Sequence, residues 1–148
     1  PYAGPGDLIA IADEPSYPLY RVAAWVTGAG VGVEQPVLTF VCRPHNPSGA
    51  MVDIPAARPL VVDEAYFEYC GETAIPLLDG GDVIVLRTFS KAFALAGARI
   101  GYALASRELA RELDERQAPA PVSSLAAALA VAAHPGSGPS VSKLALPA

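Results

Sequence analysis

Reactive side chains are few in this chain, and they cluster. Ten basic residues include only two lysines, Lys91 and Lys143, so any chemistry that needs a primary amine has two candidates. Three short segments each follow an apolar run: Asn46-Pro-Ser-Gly49, Asp63-Glu-Ala-Tyr66, and Thr88 to Arg99 around Ser90-Lys91. In sheets whose strands run parallel, ligands settle in the crevice beyond the carboxyl ends of the strands. The segments can contribute an amine (Lys91), a carboxylate (Asp63), a phenol (Tyr66), an amide (Asn46), two hydroxyls (Thr88, Ser90) and a guanidinium (Arg99). That set suits a ligand with an aldehyde, a ring nitrogen, a phenolic oxygen and a phosphate. A neutral amine attacks the aldehyde, and a planar guanidinium grips a phosphate with two parallel bonds.

The elements that must hold these groups are legible as apolar runs. Leu8–Ala12, Val37–Cys42, Leu60–Val62, Val83–Leu86 and Ile100–Ala105 read as strands buried on both faces, because they are nearly continuous rather than alternating. Helical patterns lie between and after them. Tyr17 to Ala29 is one, with Ser16 expected as its N-cap and Pro18 in its first turn. Ser106 to Gln117 places Leu109 and Leu113 on one face among charges. Ser123 to Ala133 is almost wholly apolar and is expected to be buried, and 134–148 reads as a loop or tail. The class is α/β: a mostly parallel sheet with helices on both faces. The stretch 43–58 joins two strands expected to be parallel, yet its three prolines (Pro44, Pro47, Pro55) leave no room for the usual crossover helix. It is expected to be irregular or abridged.

Composition narrows the function. The chain has 148 residues, 52% hydrophobic and 17% charged, which fits a folded domain and not an intrinsically disordered chain. Fifteen acidic residues against ten basic ones give a net charge of −5. That balance argues against a nucleic-acid or anionic-membrane partner, which would need a basic face. Two cysteines and two histidines, with no CxxC spacing, give neither a disulfide framework nor a metal site. No apolar run reaches the roughly 18 residues of a membrane span, and no signal peptide opens the chain, so a cytoplasmic location is expected.

The segments also carry a resemblance. The run from Leu86 to Tyr102, with Pro15-Ser-Tyr-Pro-Leu-Tyr20, Asn46-Pro-Ser-Gly49 and Val62-Asp-Glu-Ala-Tyr66 in the same order, resembles the fold type I pyridoxal-phosphate aminotransferases, in particular the histidinol-phosphate aminotransferase branch. The resemblance covers about residues 5–133. It implies that Lys91 forms the Schiff base with the cofactor aldehyde and afterwards shuttles the proton. It implies that Asp63 pairs with the protonated ring nitrogen, keeping the ring an electron sink. Tyr66 and Asn46 then bond the phenolic oxygen, and Arg99 holds the phosphate with Thr88 and Ser90. Tyr17 stacks on the ring. Glu64, Tyr20, Arg21 and Trp25 are expected to be scaffold or rim, and His45 a solvent-facing loop residue.

The family resemblance implies an enzyme that moves an amino group between glutamate and histidinol phosphate or imidazole-acetol phosphate, working as a homodimer on a small-molecule amino donor and acceptor. It also implies that residues 1–133 are part of a cofactor-binding large domain. The family's upstream phosphate loop and its small C-terminal domain fall outside these 148 residues. A sister enzyme, either an aromatic-amino-acid aminotransferase or a threonine-phosphate decarboxylase, and a catalytically dead fragment are the competing readings. If pyridoxal phosphate binds, borohydride reduction is expected to fix it to Lys91 and leave Lys143 free. Peptide mapping that finds the label on Lys143, or on both lysines, overturns the assignment.

Overall fold

The computed structural model describes residues 2–134. Its centre is a six-stranded sheet: β1 (Leu8–Ile11), β2 (Gly30–Val31), β3 (Leu38–Cys42), β4 (Leu60–Asp63), β5 (Val83–Thr88) and β6 (Gly101–Leu104). The order across the sheet is β2-β1-β3-β4-β5-β6, with every pair parallel except β5–β6. Among the described residues four α-helices accompany it, α1 (Leu19–Thr27), α2 (Phe67–Cys70), α3 (Arg107–Glu115) and α4 (Ser124–Ala133), with short 3-10 turns at Ile75–Gly80 and Ala96–Ala98. Among the described residues no helix is long and apolar enough to cross a membrane. The tail expected beyond His134 lies outside the described residues.

Successive side chains of a strand face opposite sides, so each central strand feeds two cores. Val61 and Ile84 join Ile9, Leu38 and Ala24 of α1 on one face, where Leu109 and Leu113 of α3 also pack. Val41, Leu60, Val62, Val83 and Val85 form the other core, which is almost completely shut from solvent. The β-branched content of β3 to β5 suits this pleated, doubly covered position. β6 departs from the expectation of a strand buried on both faces. It is an antiparallel edge strand whose residues alternate between exposed and half-buried, because Tyr102 and Leu104 pack on the cores while Gly101 and Ala103 face the uncovered side.

The stretch between β3 and β4 is irregular, as its prolines dictate. Residues 43–59 contain no helix, although β3 and β4 are parallel neighbours. Val52 and Ile54 of this loop pack on the Val41–Leu60 core, so the loop covers the sheet where a helix ordinarily would. At α1 the expectation about capping needs correction. Pro18 occupies the cap position without any side-chain bond, and the buried Ser16 hydroxyl has no partner. The helix starts at Leu19 because the Tyr17-Pro18 pair disfavours helical backbone before the proline. It ends on Gly28 at φ 81°, where a Cβ would come within 3.0 Å of the Pro5 ring. Ser106 and Ser123 do cap α3 and α4, accepting the Leu109 and Ala126 amides at 3.3 and 3.1 Å. α4 is only partly buried. Ala126 and Ala130 face Phe89 and Ile100, while Leu125 points to solvent.

One buried ion pair ties β4 to β5 just below their carboxyl ends. Glu64, 1% exposed, accepts two bonds from the Arg87 guanidinium on Oε2, at 3.0 and 2.9 Å. Thr73 Oγ1 donates to the same oxygen at 3.0 Å, and the Ala74 amide donates to Oε1 at 2.5 Å. The guanidinium also lies 3.5 Å above the Phe67 ring centroid. Glu64 therefore belongs to the scaffold, as its sequence context suggested. Removing one partner of a buried pair strands the other charge, which typically costs about 3–5 kcal/mol. Glu64→Ala is expected to lower unfolding stability by an amount in that range, measured by urea denaturation, and an unchanged midpoint would refute the role assigned to this pair.

Candidate functional site

Register sets the level of the site. Cys42 of β3, Asp63 of β4 and Leu86 of β5 are direct neighbours across the sheet. The three chemistry-bearing segments leave from this shared carboxyl edge, where Asn46, Asp63 to Tyr66 and Thr88 to Lys91 converge.

Asp63 is half-buried and held on both oxygens. Oδ1 accepts the Ala65 amide at 3.0 Å, and Oδ2 accepts the Tyr20 hydroxyl at 2.5 Å. Tyr20 is 5% exposed, stacks on Phe40 at 5.0 Å between centroids, and meets Tyr17 edge-on at 5.6 Å. Burial pushes the Tyr20 hydroxyl far above the usual phenol range, and the negative charge of Asp63 pushes it further. The hydroxyl therefore stays protonated and is always a donor. Cys42 lies below this group, its thiol bonded to the Pro44 carbonyl at 3.3 Å and pushed up chiefly by burial.

The Asn46 turn is pinned by the residue before it. His45 was expected to face solvent, but it is 8% exposed. Its Nε2 lies 2.6 Å from the Asp13 carbonyl, which can only accept, and its Nδ1 pairs with Ser48 Oγ at 2.7 Å. Its backbone accepts the Gly49 amide and donates to the Ala50 carbonyl, closing the turn around Asn46. The loop carrying Asp13 reaches across from the end of β1, a long-range contact that motif reading does not reveal. Between this turn and α2 lies a pocket of about 410 Å³, with Asn46, Met51, Tyr66, Tyr69 and Cys70 on its walls.

Lys91 is exposed, and its Nζ lies 5.2 Å from the centroid of the Tyr66 ring. Thr88 Oγ1 accepts the Ser90 amide at 3.1 Å and donates to the Ile100 carbonyl at 3.4 Å. Pairing of Thr88 with Gly101 brings the Thr88–Ser90 segment beside Arg99. Gly101 is required there, because a Cβ would sit 2.6 Å from the Arg87 carbonyl. Arg99 takes a left-handed backbone (φ 53°), and its guanidinium bonds the Ala96 carbonyl at 2.8 Å rather than either hydroxyl. The fold thus brings Lys91 to Tyr66, Asn46 and Tyr66 to one pocket, and Asp63 to Tyr17 through Tyr20. In donor chemistry this set fits pyridoxal phosphate: a pinned carboxylate for a ring N–H, an amine, a phenol with an amide, and two hydroxyls on the segment that pairs with the one carrying Arg99.

Comparison with known proteins gives the family. The family model described as Aminotransferase class I and II matches residues 32–139, and the chain belongs to that family. Among individual proteins it is similar to a histidinol-phosphate aminotransferase of Caldanaerobacter subterraneus subsp. tengcongensis, 36% identical over 85% of this chain and 44% of that protein. An aromatic amino acid aminotransferase of Mycobacterium avium is 40% identical over 68% of this chain and 33% of its own length. The solved histidinol-phosphate aminotransferase of Sinorhizobium meliloti, in complex with pyridoxal-5'-phosphate, superposes with a TM-score of 0.77 at 27% identity, covering 88% of this chain and 44% of that one. The chain spans less than half the length of these relatives.

Two residues with a part in this geometry, Tyr20 and His45, were not expected to have one. The signal for Tyr20 was its place three residues after Tyr17, across a turn that the Tyr20 amide closes on the Tyr17 carbonyl at 3.3 Å. Thiol chemistry checks the burial. Cys70 on the pocket wall is expected to react with a disulfide reagent in the native chain, and Cys42 only after denaturation. Equal native rates for both thiols would contradict the enclosure around Asp63.

Proposed function

We propose that this chain is the cofactor-holding part of a pyridoxal-phosphate-dependent aminotransferase that exchanges an amino group between glutamate and a small phosphorylated partner of the histidinol phosphate type. The observation that carries the reading is the convergence of Lys91, Asp63, Tyr66 and Asn46 on one carboxyl edge of a parallel sheet, with Lys91 Nζ 5.2 Å from the Tyr66 ring centroid. The family membership supports it. By the same reasoning the enzyme works in the cytoplasm as a homodimer, and residues 1–133 form part of its large domain.

When bound, the cofactor supplies an electron sink that stabilises negative charge at the substrate α-carbon. The residues do the rest. Lys91 would supply the amine that holds the aldehyde and the base that accepts the α-proton. Asp63 keeps the ring nitrogen protonated through a charge-assisted bond. Tyr66 and Asn46 donate to the phenolic oxygen and hold its negative charge. Tyr17 would cover one face of the ring. Arg99, Thr88 and Ser90 are the residues that would hold the phosphate.

A second reading, an aromatic-amino-acid aminotransferase, is favoured by the 40% identity to the Mycobacterium avium enzyme. The deciding experiment loads the chain with pyridoxal phosphate and follows the cofactor absorbance on addition of glutamate, histidinol phosphate or phenylalanine. Saturable shifts with glutamate and histidinol phosphate support the main reading; shifts with glutamate and phenylalanine alone support the second; no cofactor band at all overturns both. Asp63→Asn is expected to keep the cofactor but slow amino-group exchange on the order of a hundredfold, since the amide cannot hold the nitrogen protonated. Near-normal turnover by that variant removes Asp63 from the mechanism.

A further inference from the structure

We infer that Tyr20 is a positioning residue whose hydroxyl fixes the plane of the Asp63 carboxylate and presents it to the cofactor's ring nitrogen. The inference rests on the pyridoxal-phosphate reading above. A carboxylate at a strand end turns freely about its last torsion unless something holds it. Asp63 is held at both oxygens, by the Ala65 amide on Oδ1 at 3.0 Å and by Tyr20 on Oδ2 at 2.5 Å. Two donors on different oxygens fix the plane of the group, yet each oxygen keeps a further lone pair for a ring N–H. The Tyr20 bond has the length of a charge-assisted O–H···O⁻ contact.

The hydroxyl is itself immobilised. Tyr20 is 5% exposed at the start of α1, and its ring lies flat on Phe40 of β3 with only 19° between the planes. The opposing constraint comes from Tyr17, whose ring meets Tyr20 at 82°. One buried side chain therefore ties the carboxylate proposed for the ring nitrogen to the aromatic proposed for the ring face. Burial and the nearby carboxylate keep the phenol protonated, so its hydroxyl remains the donor in this bond. A purely structural tyrosine would also find a partner for its hydroxyl, so the two roles must be separated by what they do to the ring nitrogen.

A pair of ligands makes that separation. Pyridoxal phosphate and its 1-deaza analogue, which carries C–H in place of the ring nitrogen, share the aldehyde and the phosphate. Only the first can bond Asp63. Dissociation constants for both are measured by absorbance and fluorescence titration on the full chain and on Tyr20→Phe, which deletes the hydroxyl and keeps both ring contacts. Losing one bond to a charged group is expected to weaken pyridoxal phosphate roughly tenfold while the deaza analogue changes less than about twofold. In an Asp63→Asn background, Tyr20→Phe is expected to change pyridoxal phosphate binding by less than about twofold. Melting curves verify that the variants fold. If Tyr20→Phe unfolds, Phe40→Leu replaces it, loosening the hydroxyl by removing the ring beneath it, with the same discrimination expected. Equal weakening of both ligands assigns Tyr20 to the scaffold and overturns the inference, as does no weakening of either. Failure of the unmodified chain to bind pyridoxal phosphate overturns the cofactor reading and this inference with it. Binding by the unmodified chain with no effect at Tyr20 leaves the reading standing and removes only the inference.

Discussion

Parallel pairing of β3, β4 and β5 is the constraint on which the rest of the structure depends. Cys42, Asp63 and Leu86 end on one level because the ladder bonds fix the register, and a one-residue slip would turn Val61 and Ile84 out of one core and Val62 and Val85 out of the other. The apolar side chains on both faces thus specify the register, and the register specifies where the polar segments emerge. Chemistry at the edge is a consequence of packing in the middle.

The polar groups nearest that edge divide into two kinds. Glu64 and Arg87 are adjacent in sequence to candidate ligand-binding residues but turn inward, where they satisfy each other, Thr73 and a backbone amide. Their pairing fastens the ends of β4 and β5 below the site. Asp63, one residue earlier, turns the other way and meets Tyr20. Alternation along a strand is enough to give two neighbouring acids these different surroundings. The buried one must be fully bonded to be tolerated at all. The half-buried one retains bonding capacity for a ligand.

The loop between β3 and β4 shows how a sheet is covered without a helix. Its prolines exclude helical backbone, and Val52 and Ile54 supply the apolar contact instead. The same loop carries the Asn46 turn, clamped by His45 between Ser48 and the Asp13 carbonyl. A turn held by one buried imidazole has few ways to move, so Asn46 is presented from a fixed base despite the irregular backbone around it. The pocket between this turn and α2 opens beside it.

Sequence alone determined the strand cores, the α/β class, the irregular loop and the placing of Asn46, Asp63, Tyr66 and Lys91 at or just past the strand ends. These follow from local properties: apolar runs, prolines, and reactive residue types spaced just past the runs. The amphipathic stripe of α3 was equally local, and so equally legible. Tertiary structure decided what depended on contacts between distant segments. It set β6 antiparallel at an edge, left Ser16 without a capping role once Pro18 took the cap position, and buried His45 under the Asp13 loop. Above all it brought Tyr20 to Asp63, 43 residues along the chain. No spacing rule encodes that bond. It exists because α1 packs on the sheet through Ala24, and because a buried hydroxyl and a half-buried carboxylate each need the partner the other provides.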